Sequence, residues 1–169
     1  MKIQSLDAAA AGAVRIQLID LLLDALGQRA AMGFPAGLRP VDADAYWRGV
    51  EAAIADGSRI LLAAMHEGTL VGVVQLELYQ RPGGCDGAEL TRMMVHSRVR
   101  RRGIGSVLLR AAEAETRDLG RTLLFLDTET GSGAEHLYHD LGYTRVEEAE
   151  DGAGATAIYY KSLLMPELA

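Results

Sequence analysis

The sequence predicts one α+β domain, α/β-like in its middle, and three observations carry that expectation. Apolar residues switch between a helical period of 3.6 and strand-like runs along the chain. A strand, a helix and a second strand follow one another from Glu89 to Leu126, the order of a βαβ unit with a right-handed crossover. No low-complexity linker, repeat or break in composition divides the 169 residues, so residues 1–169 are read as a single core. Hydrophobic residues at 49% and charged residues at 24% are ordinary for a folded chain.

The elements follow in order. Residues 3–6 read as a short strand. Val14, Leu18, Leu21, Leu22 and Ala25 then share one helix face, with Arg15, Gln17, Asp20 and Asp24 between them. Gly33, Pro35, Gly37 and Pro40 interrupt, and Asp42 is the expected N-cap of a helix that gathers Tyr46, Trp47, Val50 and Ile54 on one side before Gly57. Ile60–His66 and Thr69–Tyr79 flank Glu67-Gly68 as a hairpin. After a Pro/Gly loop from 82 to 87, Glu89–Val95 is a further strand.

The next helix is expected to bury Ile104, Val107, Leu108, Ala111 and Leu119 and to turn Arg110, Glu113, Arg117 and Asp118 outward, with Gly120 as its stop. Thr122–Leu126 is uninterrupted and apolar, the pattern of a strand covered on both faces in a parallel pairing, and Asp127 marks its end. Ser132 and Glu135 have capping-box spacing before Ala134, Leu137, Tyr138 and Leu141, with Gly142 as the stop. Tyr143–Val146 and Ala155–Leu163 are the closing strands, joined by a turn around Gly152 and Gly154.

Composition excludes several classes. No stretch free of Asp, Glu, Lys and Arg exceeds nine residues, so no spanning helix of about 20 apolar residues exists. The N-terminal segment matches a secretory signal poorly, which leaves the cytoplasm as the default compartment. One cysteine, Cys85, excludes an internal disulfide or a cysteine-based zinc site. His136, His139 and Asp140 have ligand-capable spacing, but no third His or Cys matches it, so no metal is expected. A formal charge of −6 gives no broad basic face for nucleic acid.

Positive charge nevertheless concentrates in one place. Four of the five residues from Arg98 to Arg102 are arginine, and Gly103 and Gly105 follow directly before a helix. Glycines there let first-turn N–H groups approach an anion, and Arg100, Arg101 and Arg102 can pair with phosphate oxygens.

Arg100-Arg101-Arg102-Gly103-Ile104-Gly105 resembles the acyl-coenzyme A loop [QR]-x-x-G-x-[GA] of the GNAT acetyltransferases, and Ala134–Tyr143 resembles the A-x-x-L-Y-x-x-L-G-[FY] helix of that family. The likeness covers nearly the whole chain. Leu126–Ser132, Glu89–Val95 and Ala155–Lys161 are most similar to the tabtoxin resistance acetyltransferases. The family often has Pro shortly after its cofactor-binding strand, where this chain has His96-Ser97, and many members place Asn near Gly131.

The resemblance implies a mostly antiparallel twisted sheet with a splayed parallel strand pair, flanked by about four helices. It implies acetyl-CoA as acetyl donor, held by the backbone of Met93, Met94 and Val95 and by the loop residues Arg100, Arg101, Arg102, Gly103, Ile104, Gly105 and Ser106. It also implies direct transfer to a primary amine of a small molecule, an amino-acid-like β-lactam toxin being one such acceptor. An N–H near Val95 would face the thioester oxygen. Tyr138 is expected to protonate the leaving thiolate. Glu89 and Asp127, expected at neighbouring strand ends, are candidates for binding or deprotonating the amine, and the sequence does not separate the two roles. An amine on a protein and a non-catalytic acyl-coenzyme A regulator are the competing readings, and a homodimer is compatible with each.

Overall fold

The computed structural model describes residues 1–27, 34–79, 87–131, 133–151 and 154–164. Seven strands form one mixed sheet: β1 (Lys2–Leu6), β2 (Arg59–His66), β3 (Thr69–Leu78), β4 (Gly87–Val95), β5 (Leu123–Glu129), β6 (Thr144–Asp151) and β7 (Gly154–Ser162). Their spatial order is β1-β2-β3-β4-β5-β7-β6, and every neighbouring pair is antiparallel except β4 with β5. The α-helices are α1 (Ala8–Ala13), α2 (Arg15–Gly27), α3 (Pro40–Asp56), α4 (Ile104–Asp118) and α5 (Ala134–Asp140).

The sheet is covered on both faces. Leu18, Leu21, Leu22, Trp47 and Val50 of α2 and α3 pack on Leu61, Ala63, Val73 and Met94. Leu108, Leu109 and Ala112 of α4, with Tyr138 of α5, pack on Leu62, Val74, Leu76, Leu90, Leu124 and Leu126 on the other side. Side chains alternate along a strand, so each strand supplies both cores.

Several local expectations change. An additional short helix, α1, precedes α2; Asp7 accepts from the Ala10 N–H at 2.7 Å and caps a run of alanines, the strongest helix formers. At α3 the N-cap is Arg39, and Asp42 sits three residues in, accepting from the Arg39 backbone N–H at 3.0 Å. Gly33, Pro82, Cys85 and Ser132, along with Gly152, lie outside the described residues; Gly154 begins β7.

The largest correction concerns α4. Val107 and Leu119 are exposed, while Glu113 and Thr116 join Ile104, Leu108, Leu109 and Ala112 in the buried stripe. Glu113 accepts from Tyr143 Oη at 3.0 Å and from Lys161 Nζ at 3.1 Å. Both partners come from distant segments, so a carboxylate that local patterning assigns to water is paired inside.

Candidate active site

The site is built where two parallel strands part. β4 and β5 share only three register pairs, Gly87 with Leu123, Ala88 with Leu124 and Glu89 with Phe125. Beyond them β4 follows β3 and β5 follows β7. The divergence coincides with a bulge: Arg92 has φ 50°, and the β3–β4 register shifts between Val73 and Gln75. An extra residue on one strand bends it and increases its twist, which carries β4 away from β5.

That bend frees a backbone donor. The His96 N–H donates to the Val71 carbonyl at 2.9 Å, toward β3. Amide direction alternates along an antiparallel ladder, so the Val95 N–H points to the opposite edge, the one β5 has left. Met94 is buried toward α2 and α3, while the Met93 and Val95 side chains pack toward α4.

A 3-10 turn at Ser97–Val99 leads from β4 to α4. It is pinned to α2: the Ser97 N–H and Oγ donate to Asp24 at 2.8 and 2.6 Å, and His96 Nε2 lies 3.1 Å from Asp20. Burial pushes the Asp24 carboxyl up, but both Ser97 hydrogen bonds, with His96 and Arg100 nearby, hold it below its ordinary value. These tethers stand where the resembled family often has Pro. Asp20 and Asp24 are legible in the sequence only as the polar side of a helix.

Arg98, Arg100, Arg101 and Arg102 are exposed, and none forms an ion pair with a described residue. Gly103, with φ 75°, is the N-cap of α4 and supplies no side chain to its first turn. The N–H groups of Ile104, Gly105 and Ser106 therefore lack helical acceptors, the arrangement that an anion would complete. A Cβ on Gly105 would lie 3.6 Å from Leu137 Cδ2 and 3.9 Å from Met93 Cε, which ties this N-terminus to α5 and to the rim of the gap. The loop thus fits the phosphates of a nucleotide thioester.

The carboxylates occupy the opposite sheet face. Ala88 and Leu90 face α4, so Glu89 between them faces away, and Glu77 alternates likewise beside Leu76. Glu89 lies within β4, at its last pairing with β5, and Asp127 lies within β5 opposite Ile158, so neither is at a strand terminus. Glu89 instead closes the shared ladder, and Asp127 lies two residues beyond it on β5.

Tyr79 Oη is 2.6 Å from Glu89 Oε2 and 3.1 Å from Glu77 Oε2. Arg59 pairs with Glu77 and donates to Gln75 Oε1 at 3.1 Å, and Gln75 Nε2 donates to Tyr46 Oη at 2.9 Å. Burial raises the Glu89 carboxyl above its ordinary value, the charges of Glu77 and Asp127 raise it further, and the Tyr79 hydrogen bond opposes them. Sequence reading missed Arg59, Glu77 and Tyr79. Glu77 and Glu89 pair across the ladder, a register visible only once β3 and β4 are aligned.

Tyr138 is 5% exposed on the α4 side, with ring centroids 5.9 Å from Tyr143 and 5.8 Å from Tyr159. Burial, then the Asp127 charge, pushes its hydroxyl up to about 12. Among the described residues its Oη has no hydrogen-bond partner. The Asp127 charge acts on both Tyr138 and Glu89, which lie on opposite faces of the sheet. His136 and His139 are exposed, and among the described residues no cluster of His, Cys, Asp and Glu could hold a metal ion. No helix among them is long and apolar enough to cross a membrane.

A family model described as the acetyltransferase (GNAT) family matches residues 22–143. An aminoglycoside 6'-acetyltransferase type Ii is 24% identical with a TM-score of 0.74, over 98% of this chain and 99% of that one. An aminoglycoside 6'-N-acetyltransferase complexed with coenzyme A is 22% identical with a TM-score of 0.75, over 98% and 99%. The putative acetyltransferase yncA from Salmonella typhimurium, with its cofactor acetyl-CoA, is 20% identical with a TM-score of 0.73, over 100% and 99%.

Proposed function

The chain belongs to the acetyltransferase (GNAT) family and is an acetyl-CoA-dependent N-acetyltransferase; on that premise we propose that residues 1–169 act as one domain that acetylates a primary amine of a small molecule. The observation that carries this reading is the parting of β4 from β5 after Glu89 and Phe125. It opens a passage between a phosphate-ready helix terminus on one face and paired carboxylates on the other.

Bound acetyl-CoA supplies an activated acetyl group. Ile104, Gly105 and Ser106 bind its pyrophosphate through first-turn N–H groups, and Arg100, Arg101 and Arg102 neutralise its charge. Met93 and Met94 contribute backbone along the gap, and the Val95 N–H meets the thioester oxygen as negative charge grows there. Glu89 and Asp127 attract the ammonium and take its proton, directly or through water. Tyr138 donates toward the departing sulfur. The β-lactam toxin acceptor implied by the sequence resemblance is one narrow member of this acceptor class.

The test is release of free coenzyme A from acetyl-CoA with a panel of small aliphatic amines, amino acids and peptides with free N-termini. Turnover of small amines is the expected result. Acetylation confined to peptides would overturn the small-molecule reading while leaving the acetyl-transfer activity in place.

A further inference from the structure

The bulge in β4 leaves one cation incompletely satisfied. The guanidinium carbon of Arg92 lies 4.5 Å from the Phe34 ring centroid and 5.1 Å from that of Tyr46, and its Nη1 is buried with no hydrogen-bond partner among the described residues. Thr91 Oγ1, next to it, is also buried without a partner among them. Arg59 offers the contrast on the same sheet face, since it is engaged by Glu77 and Gln75. Two aromatic faces attract the Arg92 charge but fill none of its N–H positions. A buried donor on a charged group left unpaired costs more than an ordinary hydrogen bond returns, so an acceptor that completes it is favoured there.

Its position says what that group is. Thr91 follows Glu89 by two residues, so the two share a face, roughly 7 Å apart along the strand. Thr91 pairs with Gln75, whose amide donates to Tyr46, the residue whose ring lies under Arg92. The left-handed backbone at Arg92 re-aims its side chain onto those rings, as bulges do. A cation is therefore carried three residues along β4 from the carboxylate Glu89. An acceptor with amines alone would meet repulsion there. One carrying an ammonium and a carboxylate would match both ends, and a planar guanidinium suits a carboxylate in particular.

Resting on the small-amine reading above, we propose that Arg92, with Thr91 beside it, binds a carboxylate of the acceptor, so that the substrate class is amino acids and amino-acid-like zwitterions.

The experiment compares acceptors that differ only in that group: β-alanine and several L-amino acids against their amides, with aminoethyl phosphate as a different anion. The expected result is a higher kcat/KM for the acids, with the acid-to-amide ratio falling about tenfold or more in Arg92→Gln and partly regained in Arg92→Lys. Thr91→Val should lower the ratio by less. Calorimetry with acetyl-CoA reports whether each variant is folded. Amides accepted as well as acids by the wild type, or a ratio unmoved by Arg92→Gln, would overturn the inference and leave the small-amine reading standing. A preference for aminoethyl phosphate over every carboxylate would overturn the choice of anion and with it the proposal. If Arg92→Gln does not fold, the wild-type acid-to-amide preference and Thr91→Val decide. Turnover of peptides alone removes the small-amine reading and this inference together.

Discussion

Gly72 of β3 faces Val95 of β4, and a Cβ on Gly72 would stand 3.0 Å from the Met94 carbonyl oxygen and 3.2 Å from Leu108 Cδ1. The missing side chain lets α4 lie close over β3, against the Met94 carbonyl of the neighbouring strand that carries the Val95 N–H. Backbone cannot rotate away as a flexible side chain can. Gly72→Ala should therefore cost about 1–3 kcal/mol by overpacking and lower kcat as β4 shifts. Urea unfolding and steady-state rates report the two effects, and an alanine variant with wild-type stability and rate would refute the close-packing account.

The helix terminus gives a second prediction. A Cβ at Gly105 meets only ordinary contacts, at 3.6 Å to Leu137, so Gly105→Ala should bind acetyl-CoA nearly as the wild type does. Gly105→Glu adds a negative charge among the first-turn N–H groups and should weaken binding about tenfold or more. Unchanged calorimetric affinity in a folded Gly105→Glu protein would move the phosphates elsewhere.

Glu89 makes the reaction pH-dependent in a defined direction. Amine deprotonation needs the carboxylate, so kcat/KM should rise with pH through a titration above the ordinary carboxyl value of 4.5. Tyr79→Phe removes the one hydrogen bond that lowers this value, so the limb should move to higher pH; Asp127→Asn removes a charge that raises it, so the limb should move lower. The stability effect has the opposite sense to activity. A carboxyl raised in the folded state contributes its stability at low pH and loses it as pH rises through the folded value. Glu89→Gln should thus be more stable than wild type at neutral pH, with the advantage vanishing in acid. A pH–rate profile that ignores all three substitutions would make Glu89 a bystander.

Tyr138 is a donor whose proton is tightly held. With its hydroxyl pushed up to about 12, complete transfer to a thiolate of pKa about 8.5 is uphill by roughly 3.5 units, about 5 kcal/mol. A hydrogen bond to the departing sulfur needs no complete transfer, and losing one such donor costs about 10²- to 10³-fold. Tyr138→Phe should lower kcat about 100-fold and leave the acetyl-CoA Kd within a few-fold. Turnover near the wild-type rate would reduce Tyr138 to its ring contacts with Tyr143 and Tyr159.

Glu113 and Lys161 give a prediction about stability alone. Glu113 is 5% exposed and its Oε1 accepts from both Tyr143 and Lys161. Lys161→Met strands that carboxylate and should cost about 3 kcal/mol, whereas Glu113→Leu with Lys161→Met should recover much of the loss. Urea midpoints of the single and double variants test the pairing; strictly additive losses would dissolve it.

Local patterning determined the order and type of most elements, because strand alternation, glycine stops and apolar stripes act within a few residues of one another. It made the hairpin at Glu67-Gly68, the βαβ unit and the Arg100–Ser106 loop legible before any packing. It failed at Glu113, where a buried position depends on a lysine 48 residues away, and at α1, whose six residues are too few to show a period.

The site divides in the same way. Residues close together in the chain were enough to mark the Arg100–Ser106 loop as an anion cradle, since glycines and arginines before a helix act through their own backbone and charge. The sequence also singled out Glu89, Asp127 and Tyr138 as chemically capable side chains. Their placement around one gap depends on strand pairing, because the bulge at Arg92 separates β4 from β5 and leaves the Val95 N–H facing the opening. Only register placed Glu77 opposite Glu89 and brought Tyr79 onto both, and only packing left Arg92 half-buried over two rings with its Nη1 unfilled among the described residues. Strand pairing and burial are relations between distant segments, and no window of neighbouring residues contains them.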